Sequence, residues 1–231
     1  MKRLTIPAFG LSLLVATGCV LPSILDGSGS IFRPFDTARV RVVHASPDAP
    51  AVDVCADGST LFSNAPFPAA TFYETVPAGT YDVRVTAAGA GCDSAAVISA
   101  DLPLARGTDT TVVALNYLDS IEPLVLKDDN SKPMAGMSKV RFVHASPDAP
   151  TVDITLPDGT TLFDDVSFRE SGGYIEVPAD TYTLQVRDGT GTVIVLTLDG
   201  VAVKDGGVYT IFAVGLLGGD PALDALIAVD R

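Results

Sequence analysis

Apolar and polar residues alternate along most of this chain with a period of two. Val40, Val42 and His44 share one face of a segment whose other face carries Arg39 and Arg41, and the same alternation recurs near residues 81–86, 139–144 and 182–187. A period of two indicates a β-strand with one face toward a core, whereas a helix needs a period of about 3.6. No segment shows convincing helical periodicity, so the pattern predicts an all-β protein.

The pattern occurs twice, about a hundred residues apart. VRVVHASPDAPAVDV (residues 40–54) returns as VRFVHASPDAPTVDI (140–154), VPAGTYDVRV (76–85) returns as VPADTYTLQV (177–186), and TVVAL (111–115) corresponds to TIFAV (210–214). Short strands separated by Gly and Pro turns, such as those at Asp57-Gly58 and Asp158-Gly159, are typical of β-sandwiches. We predict two tandem immunoglobulin-like antiparallel β-sandwich domains of about seven strands each, with separate cores.

Composition sets the domain boundaries. The segments VLPSILDGSGSIFRPFD (20–36) and KDDNSKPMAGMS (127–138) are rich in Gly, Ser, Pro or charge and interrupt the apolar pattern. The predicted organisation is a lipoprotein signal peptide at 1–18, a flexible tether at 19–37, the first repeat at 38–130, a linker at 131–137 and the second repeat at 138–231.

The first residues are typical of an export signal. Lys2 and Arg3 precede a short apolar stretch, too short to span a bilayer, and the small residues before Cys19 suit a signal peptidase. LVATGC resembles the bacterial lipobox, which implies that Cys19 becomes the lipidated first residue of the mature protein; an ordinary secretory signal is the alternative. Val20 follows it, which by resemblance to Gram-negative lipoproteins favours the outer membrane. We expect an extracytoplasmic protein, anchored to a membrane by acyl chains.

Charge restricts the partners. The formal net charge is −13, and a surface that acidic repels nucleic acid and anionic lipid head groups. We therefore expect no nucleic-acid partner. The same charge also keeps a Val- and Ala-rich β protein in solution.

The identical octapeptide VHASPDAP is best explained as a rigid corner between two strands. Proline fixes the backbone at the turn, Asp48 can accept hydrogen bonds from backbone N–H groups, and the His44 imidazole can reach a loop carbonyl or the Asp48 carboxylate. The predicted corner residues are His44, Ser46, Pro47, Asp48 and Pro50 in the first repeat, and His144, Ser146, Pro147, Asp148 and Pro150 in the second.

Metal and catalytic interpretations have less support. Each repeat contains one histidine, whereas zinc sites use several nitrogen or sulfur ligands. Asp48, Asp53 and Asp57 leave a weak surface Ca²⁺ site open, although Asp53 is expected to face outward and no EF-hand is present. The sequence has no nucleophile elbow, Walker loop, H-E-x-x-H or dinucleotide fingerprint. We predict no cofactor, no metal and no catalytic residue.

Two cysteines follow a pattern of their own. Cys55 and Cys92 are both present in the first repeat, while Thr155 replaces Cys55 in the second and nothing there corresponds to Cys92. Joint presence and joint absence are expected of a bonded pair, and export favours a disulfide. Free thiols are the alternative.

The paired HASPDAP and VPAGTYDVRV motifs, in tandem behind a lipoprotein-like signal, resemble the bacterial exported domains grouped as domain of unknown function 4397. The resemblance covers nearly all of residues 38–231 and implies extracytoplasmic β-sandwiches, with no activity, substrate or catalytic residue to carry over. We expect a non-enzymatic cell-envelope lipoprotein for binding, adhesion or scaffolding, with an envelope protein or glycan as partner. The alternative is an extracytoplasmic carbohydrate-binding or hydrolytic protein with an unrecognised carboxylate or Ca²⁺-assisted site.

Overall fold

A computed structural model describes residues 36–231, together with the two-residue strands β1 (Ile24–Leu25) and β2 (Ile31–Phe32), which pair antiparallel. Residues 36–231 belong to one compact unit. The predicted signal peptide, Cys19 and most of the predicted tether lie outside the described residues. Within the described residues, no helix has the length and hydropathy needed to span a bilayer.

The first repeat is a sandwich of two β-sheets. Its strands are β3 (Thr37–His44), β4 (Val52–Ala56), β5 (Ser59–Ala65), β6 (Ala69–Ala70), β7 (Glu74–Pro77), β8 (Gly79–Ala87), β9 (Ala96–Leu104), β10 (Asp109–Leu115) and β11 (Glu122–Asp128), with a 3₁₀ turn at Leu118–Ser120. One sheet has the order β11-β10-β3, with β6 and β7 both pairing with β3, and the other has the order β5-β4-β8-β9.

The second repeat has the same plan. Its strands are β12 (Met137–His144), β13 (Val152–Thr155), β14 (Thr161–Val166), β15 (Ser171–Pro178), β16 (Thr181–Asp188), β17 (Ile194–Ala202), β18 (Val208–Val214) and β19 (Asp224–Val229). They form the sheets β15-β12-β18-β19 and β14-β13-β16-β17. The single strand β15 takes the place of the interrupted pair β6 and β7.

The predicted all-β sandwich fold is confirmed, and one detail of the pairing differs from the prediction. β3 pairs with β10 in parallel, as β12 does with β18, while the other strand pairs are antiparallel. Side-chain alternation has the same period in parallel and antiparallel strands, so the sequence pattern does not reveal strand direction.

Each sandwich has its own apolar core between its two sheets. In the first repeat Val40 and Val42 of β3 pack against Val54, Val83 and Val85 of the facing sheet. Corresponding residues fill the second core, where Phe142 takes the place of Val42. Burial of these alternate residues accounts for the period of two seen in the sequence.

A third apolar cluster joins the repeats, which the prediction of separate cores did not include. It combines residues of β3, β10 and β11 with residues of β12, β18 and β19: Val43, Ala45, Val113, Leu115, Leu126, Val143, Ala145, Phe212, Val214 and Ala228. Val43, Val113, Val143 and Phe212 have no exposed surface. The sheets that contain β3 and β12 therefore use both faces, one for their own sandwich and one for the other repeat.

Hydrogen bonds tie down the predicted linker at 131–137. Lys139 Nζ donates to Asp129 at 2.6 Å and to Ser131 at 2.6 Å, and Met134 and Gly136 donate backbone N–H groups to Glu176 and Asp205. The hydrogen bond from Lys139 is the main reason that the pKa of Asp129 falls to about 2. β12 begins at Met137, the last residue of the predicted linker.

Candidate functional site

The corner histidines are hydrogen-bonded struts. Nε2 of His44 lies 3.0 Å from the Pro50 carbonyl oxygen, and Nε2 of His144 lies 2.9 Å from that of Pro150. Because a carbonyl oxygen only accepts, Nε2 carries the proton, and Nδ1 of His44 accepts from the Ser46 N–H at 3.4 Å. Both rings are fully buried, and burial lowers the pKa of each histidine although its bond to the proline carbonyl opposes that effect.

The aspartate of the same motif reaches a distant loop. Asp48 accepts the N–H of Leu118 at 2.7 Å, and Asp148 accepts the N–H groups of Leu217 and Gly218 at 2.7 and 3.0 Å. These loops follow β10 and β18, the parallel neighbours of β3 and β12. The motif therefore holds together the C-terminal ends of two neighbouring parallel strands. Each repeat contains such a parallel pair, which explains why each repeat contains the motif.

The remaining motif residues complete the turn. Pro47 and Asp48 form a turn, as do Pro147 and Asp148. Ser46 and Ser146 are fully buried there, and the hydroxyl of Ser146 donates to Asp148 at 3.3 Å. The structure thus brings every predicted corner residue of a repeat to one place, between strands.

The second repeated motif, VPAGTY or VPADTY, closes a corner through its tyrosine. The Tyr81 hydroxyl donates to the Pro77 carbonyl at 2.7 Å, and the Tyr182 hydroxyl donates to the Pro178 carbonyl at 2.8 Å. This geometry is that of a tyrosine corner, in which the ring packs on the sandwich and the hydroxyl holds a backbone group a few residues upstream.

The structure does not bring the candidate Ca²⁺ ligands together. Asp48, Asp53 and Asp57 each accept backbone N–H groups, Asp53 from both Asn64 and Gly89 and Asp57 from Asp82. Asp53 lies on the face of β4 opposite the core residues Val52 and Val54, and it is little exposed where its carboxylate accepts these N–H groups. In the described part of the chain no three His, Cys, Asp or Glu side chains are placed to hold a metal ion.

The predicted disulfide is confirmed. Cys55 and Cys92 are bonded, with Cα atoms 5.7 Å apart, and the bond links β4 to the loop before β9. In the second repeat Thr155 occupies the position of Cys55 and accepts a hydrogen bond from Arg187 at 3.1 Å. A covalent link in one repeat is replaced by a polar contact in the other.

A buried cluster of charged residues lies between the repeats, and sequence reasoning did not find it. Arg41 of β3 is 1% exposed, and its Nη2 lies 2.6 Å from Asp230 Oδ1 at the end of the second repeat. Arg141 of β12 is 2% exposed, and its Nη2 donates to Asp128 Oδ1 in the first repeat at 2.6 Å. Each repeat thus supplies the arginine that neutralises the carboxylate of the other.

Each carboxylate uses its second oxygen within its own repeat. Asp128 Oδ2 accepts the hydroxyls of Tyr73 and Thr111, both at 2.6 Å. In the second repeat Asp230 Oδ2 accepts those of Tyr174 and Thr210 at 2.9 and 2.6 Å. The threonine hydroxyls also accept from Nε of the arginine of their own repeat, at 2.8 Å for Arg41 and 3.2 Å for Arg141. We call these eight residues the inter-repeat charge cluster.

The tyrosines are held protonated in this cluster. The guanidinium of Arg41 lies 4.7 Å from the centre of the Tyr73 ring, and that of Arg141 lies 4.6 Å from the Tyr174 ring. Burial raises the pKa of both tyrosines far above the usual value, so each hydroxyl remains a donor. Two positive and two negative groups compensate one another, and the carboxylates are occupied by donors, which suits a structural joint rather than a catalytic centre.

A signal for this cluster was present in the sequence. Arg41 and Arg141 occupy equivalent positions on the faces opposite the cores, as do Thr111 and Thr210. Alternation alone cannot distinguish a face turned to solvent from one turned to another domain. Polar residues that are identical in both repeats at such positions are the feature that could have indicated an interface.

The architecture defines the class of protein as a tandem β-sandwich protein whose repeats share a buried polar interface. Residues 38–155 and 138–231 both match the family described as Domain of unknown function (DUF4397), and the chain belongs to that family. The suspected family is thereby confirmed, in two copies.

Comparison with individual proteins adds two structures of low similarity. No curated protein matches the chain. The C-terminal domain of AlgF from P. aeruginosa is 19% identical, with a TM-score of 0.30, and the match covers 42% of this chain and 99% of that domain. The Bacillus anthracis TIE protein is 12% identical, with a TM-score of 0.25, over 78% of this chain and 34% of the other. At these scores neither supports a functional assignment.

Proposed function

We propose that this chain is a non-enzymatic cell-envelope lipoprotein whose joined sandwiches act as one rigid binding or scaffolding module. The observation that carries the proposal is the exchange of arginines between repeats: Arg41 binds Asp230, and Arg141 binds Asp128, with all four side chains buried. The exchanged pairs specify how the two repeats dock, and separating the repeats would expose the shared apolar cluster to water, which is unfavourable. The repeats therefore move together.

A rigid pair suits presentation better than catalysis. The conspicuous polar side chains of the described residues serve the fold: the histidines hold corners, the candidate aspartates hold turns, and the buried ions hold the repeats together. The sequence adds an export signal and a lipobox-like cysteine. An envelope protein or a glycan is the class of partner we propose, since the net charge of −13 disfavours nucleic acid.

The anchor is tested by fractionation. Replacement of Cys19 by Ala should release the protein from the membrane fraction and abolish labelling by an alkyne fatty acid, while Val20→Ala should leave both unchanged. Persistence of membrane attachment and label in the Cys19→Ala protein would show that the chain is not a lipoprotein.

The binding role is tested with the same released variant, in which both repeats are unchanged. It should bind a component of a panel of peptidoglycan fragments, envelope glycans and purified envelope proteins saturably, with no turnover of ester, peptide or glycoside substrates. Turnover that persists through further purification would overturn the non-enzymatic proposal in favour of the hydrolytic alternative.

A further inference from the structure

A cavity of about 60 Å³ lies between the two sheets of the first sandwich, and its counterpart in the second sandwich measures about 20 Å³. A void needs only roughly 10–15 Å³ by this measure to admit one water molecule. The second core is therefore nearly filled, whereas the first is not.

Side-chain size explains the difference. Strand register makes Val83, which pairs with Ala100, equivalent to Leu184, which pairs with Leu198. At several lining positions the first repeat has the smaller side chain, among them Val42, Ala56, Val83 and Ala100 in place of Phe142, Leu156, Leu184 and Leu198. At two other positions the first repeat has the larger side chain, Leu102 and Leu104 against Val201 and Val203. Each adds only one methylene, which is too little to fill the space left by the smaller side chains.

The lining offers water almost nothing to bind. It consists of aliphatic and aromatic carbon except near Tyr81, whose hydroxyl is already bonded to the Pro77 carbonyl, and Asp101 at the rim. An apolar void without free hydrogen-bonding groups stays dry and accepts apolar molecules. Filling it would restore the contacts that the small side chains leave unmade.

The cavity has an opening between the edge strands β9 and β11. Ala100 of β9 points inward yet is exposed, whereas the equivalent Leu198 is half-buried. Across the opening Val125 of β11 lines the cavity and is 51% exposed. The disulfide at Cys92 holds the loop that leads into β9 and so fixes one side of the opening.

Charge at the rim restricts the ligand further. Asp101 borders the cavity, and Asp82, its partner across the sheet, lies beside it on the outer face of β8 and β9. Among the described residues that line the cavity, none is basic. Two neighbouring carboxylates disfavour a negatively charged group at that point.

We propose that the first repeat binds a hydrocarbon chain with an uncharged or cationic end, which enters between β9 and β11 and fills the space between the sheets. The second repeat lacks the site because larger side chains occupy it. This inference does not rest on the membrane anchor or on the envelope partner.

The experiment uses the released Cys19→Ala protein and 1-decanol below its solubility limit. Amide NMR spectra should show saturable shifts confined to residues around the first cavity, and the melting temperature should rise with ligand concentration. Dodecyltrimethylammonium should bind comparably, and dodecanoate at least tenfold more weakly. If dodecanoate bound as tightly as dodecyltrimethylammonium, the proposed effect of the acidic residues near the opening would be wrong.

The internal repeat supplies matched variants. Ala100→Leu introduces the side chain of the second repeat and should weaken decanol binding at least tenfold, and Leu198→Ala should create decanol-dependent shifts in the second repeat. Val97→Leu, on the outer face of β9, is the control and should bind as the parent does. Absence of saturable shifts in the parent, or unaltered binding by a folded Ala100→Leu protein, would overturn the proposal.

Discussion

Arg41 and Asp230 lie at opposite ends of the described chain and form a fully buried ion pair at 2.6 Å. The reciprocal pair, Arg141 with Asp128, has the same 2.6 Å separation. Removing one partner of such a pair is far more damaging than replacing both with apolar residues, because the remaining charge is left buried alone. The joint between the repeats is therefore sensitive to single substitutions.

Asp230→Ala should lower the free energy of unfolding by about 3–5 kcal/mol, since the Arg41 guanidinium loses its counter-ion. The double variant Arg41→Met/Asp230→Leu should lose less than Asp230→Ala. Urea denaturation of the parent and these two variants measures this. As a control, Arg106→Ala removes an exposed pair with Asp36 and should cost about 0–1 kcal/mol. A loss at Asp230 no larger than that at Arg106 would contradict the buried joint.

Reduction of the Cys55–Cys92 bond should destabilise both repeats together. A chain-entropy estimate for the closed loop gives roughly 3–4 kcal/mol, and the shared apolar cluster transmits the loss to the second repeat. Differential scanning calorimetry should show one cooperative transition that moves to lower temperature on reduction. Two separate transitions, with only one moving, would indicate that the shared cluster does not couple the repeats.

His44→Ala should cost about 1–3 kcal/mol, because the Pro50 carbonyl loses the donor on Nε2 and remains unpaired. His144→Ala should behave alike through Pro150. His44→Gln should recover part of the loss, since an amide can donate in a similar place. Thermal melts with EDTA and with added Ca²⁺ or Zn²⁺ check the alternative: a chelator-sensitive melting point that the Ala variants lose would make the motif a metal site.

Both histidines should also make stability depend on pH. Their folded pKa values lie below the ordinary value of 6.5, chiefly because burial disfavours the charged ring. The unfolded chain then binds more protons, so this contribution is fully present above pH 6.5 and is lost as pH falls from there through the folded pKa. Urea midpoints between about pH 8 and pH 5 should fall in the parent and fall less in His44→Gln/His144→Gln. Equal slopes would show that other groups control the dependence.

The sequence predicted what depends on local pattern. Alternation at Val40 and Val42 identified strands, and the matched absence of cysteines in the second repeat identified the Cys55–Cys92 bond. It also located the HASPDAP corner, although not the reach of Asp48 to Leu118, because a contact across 70 residues leaves no local trace.

The features that the sequence did not predict depend on which strands and which faces of the two repeats contact one another. Arg41 alternates with core residues, as a solvent-facing arginine would, and its burial follows from the position of β19 in the other repeat. The direction of β10 relative to β3 is likewise set by the path of the chain rather than by side-chain period. Comparison of the repeats carried information about the interface that a single repeat does not contain.

The arginine exchange has the symmetry of a twofold homodimer, in which each subunit offers the same surface and residue i meets residue j in both directions. Here one covalent chain holds both halves, so the pairing no longer depends on concentration. In a homodimer every substitution changes both subunits at once. In this chain one half has a disulfide and an under-filled core while the other has neither, and the charged and polar residues that join the halves are the same in both.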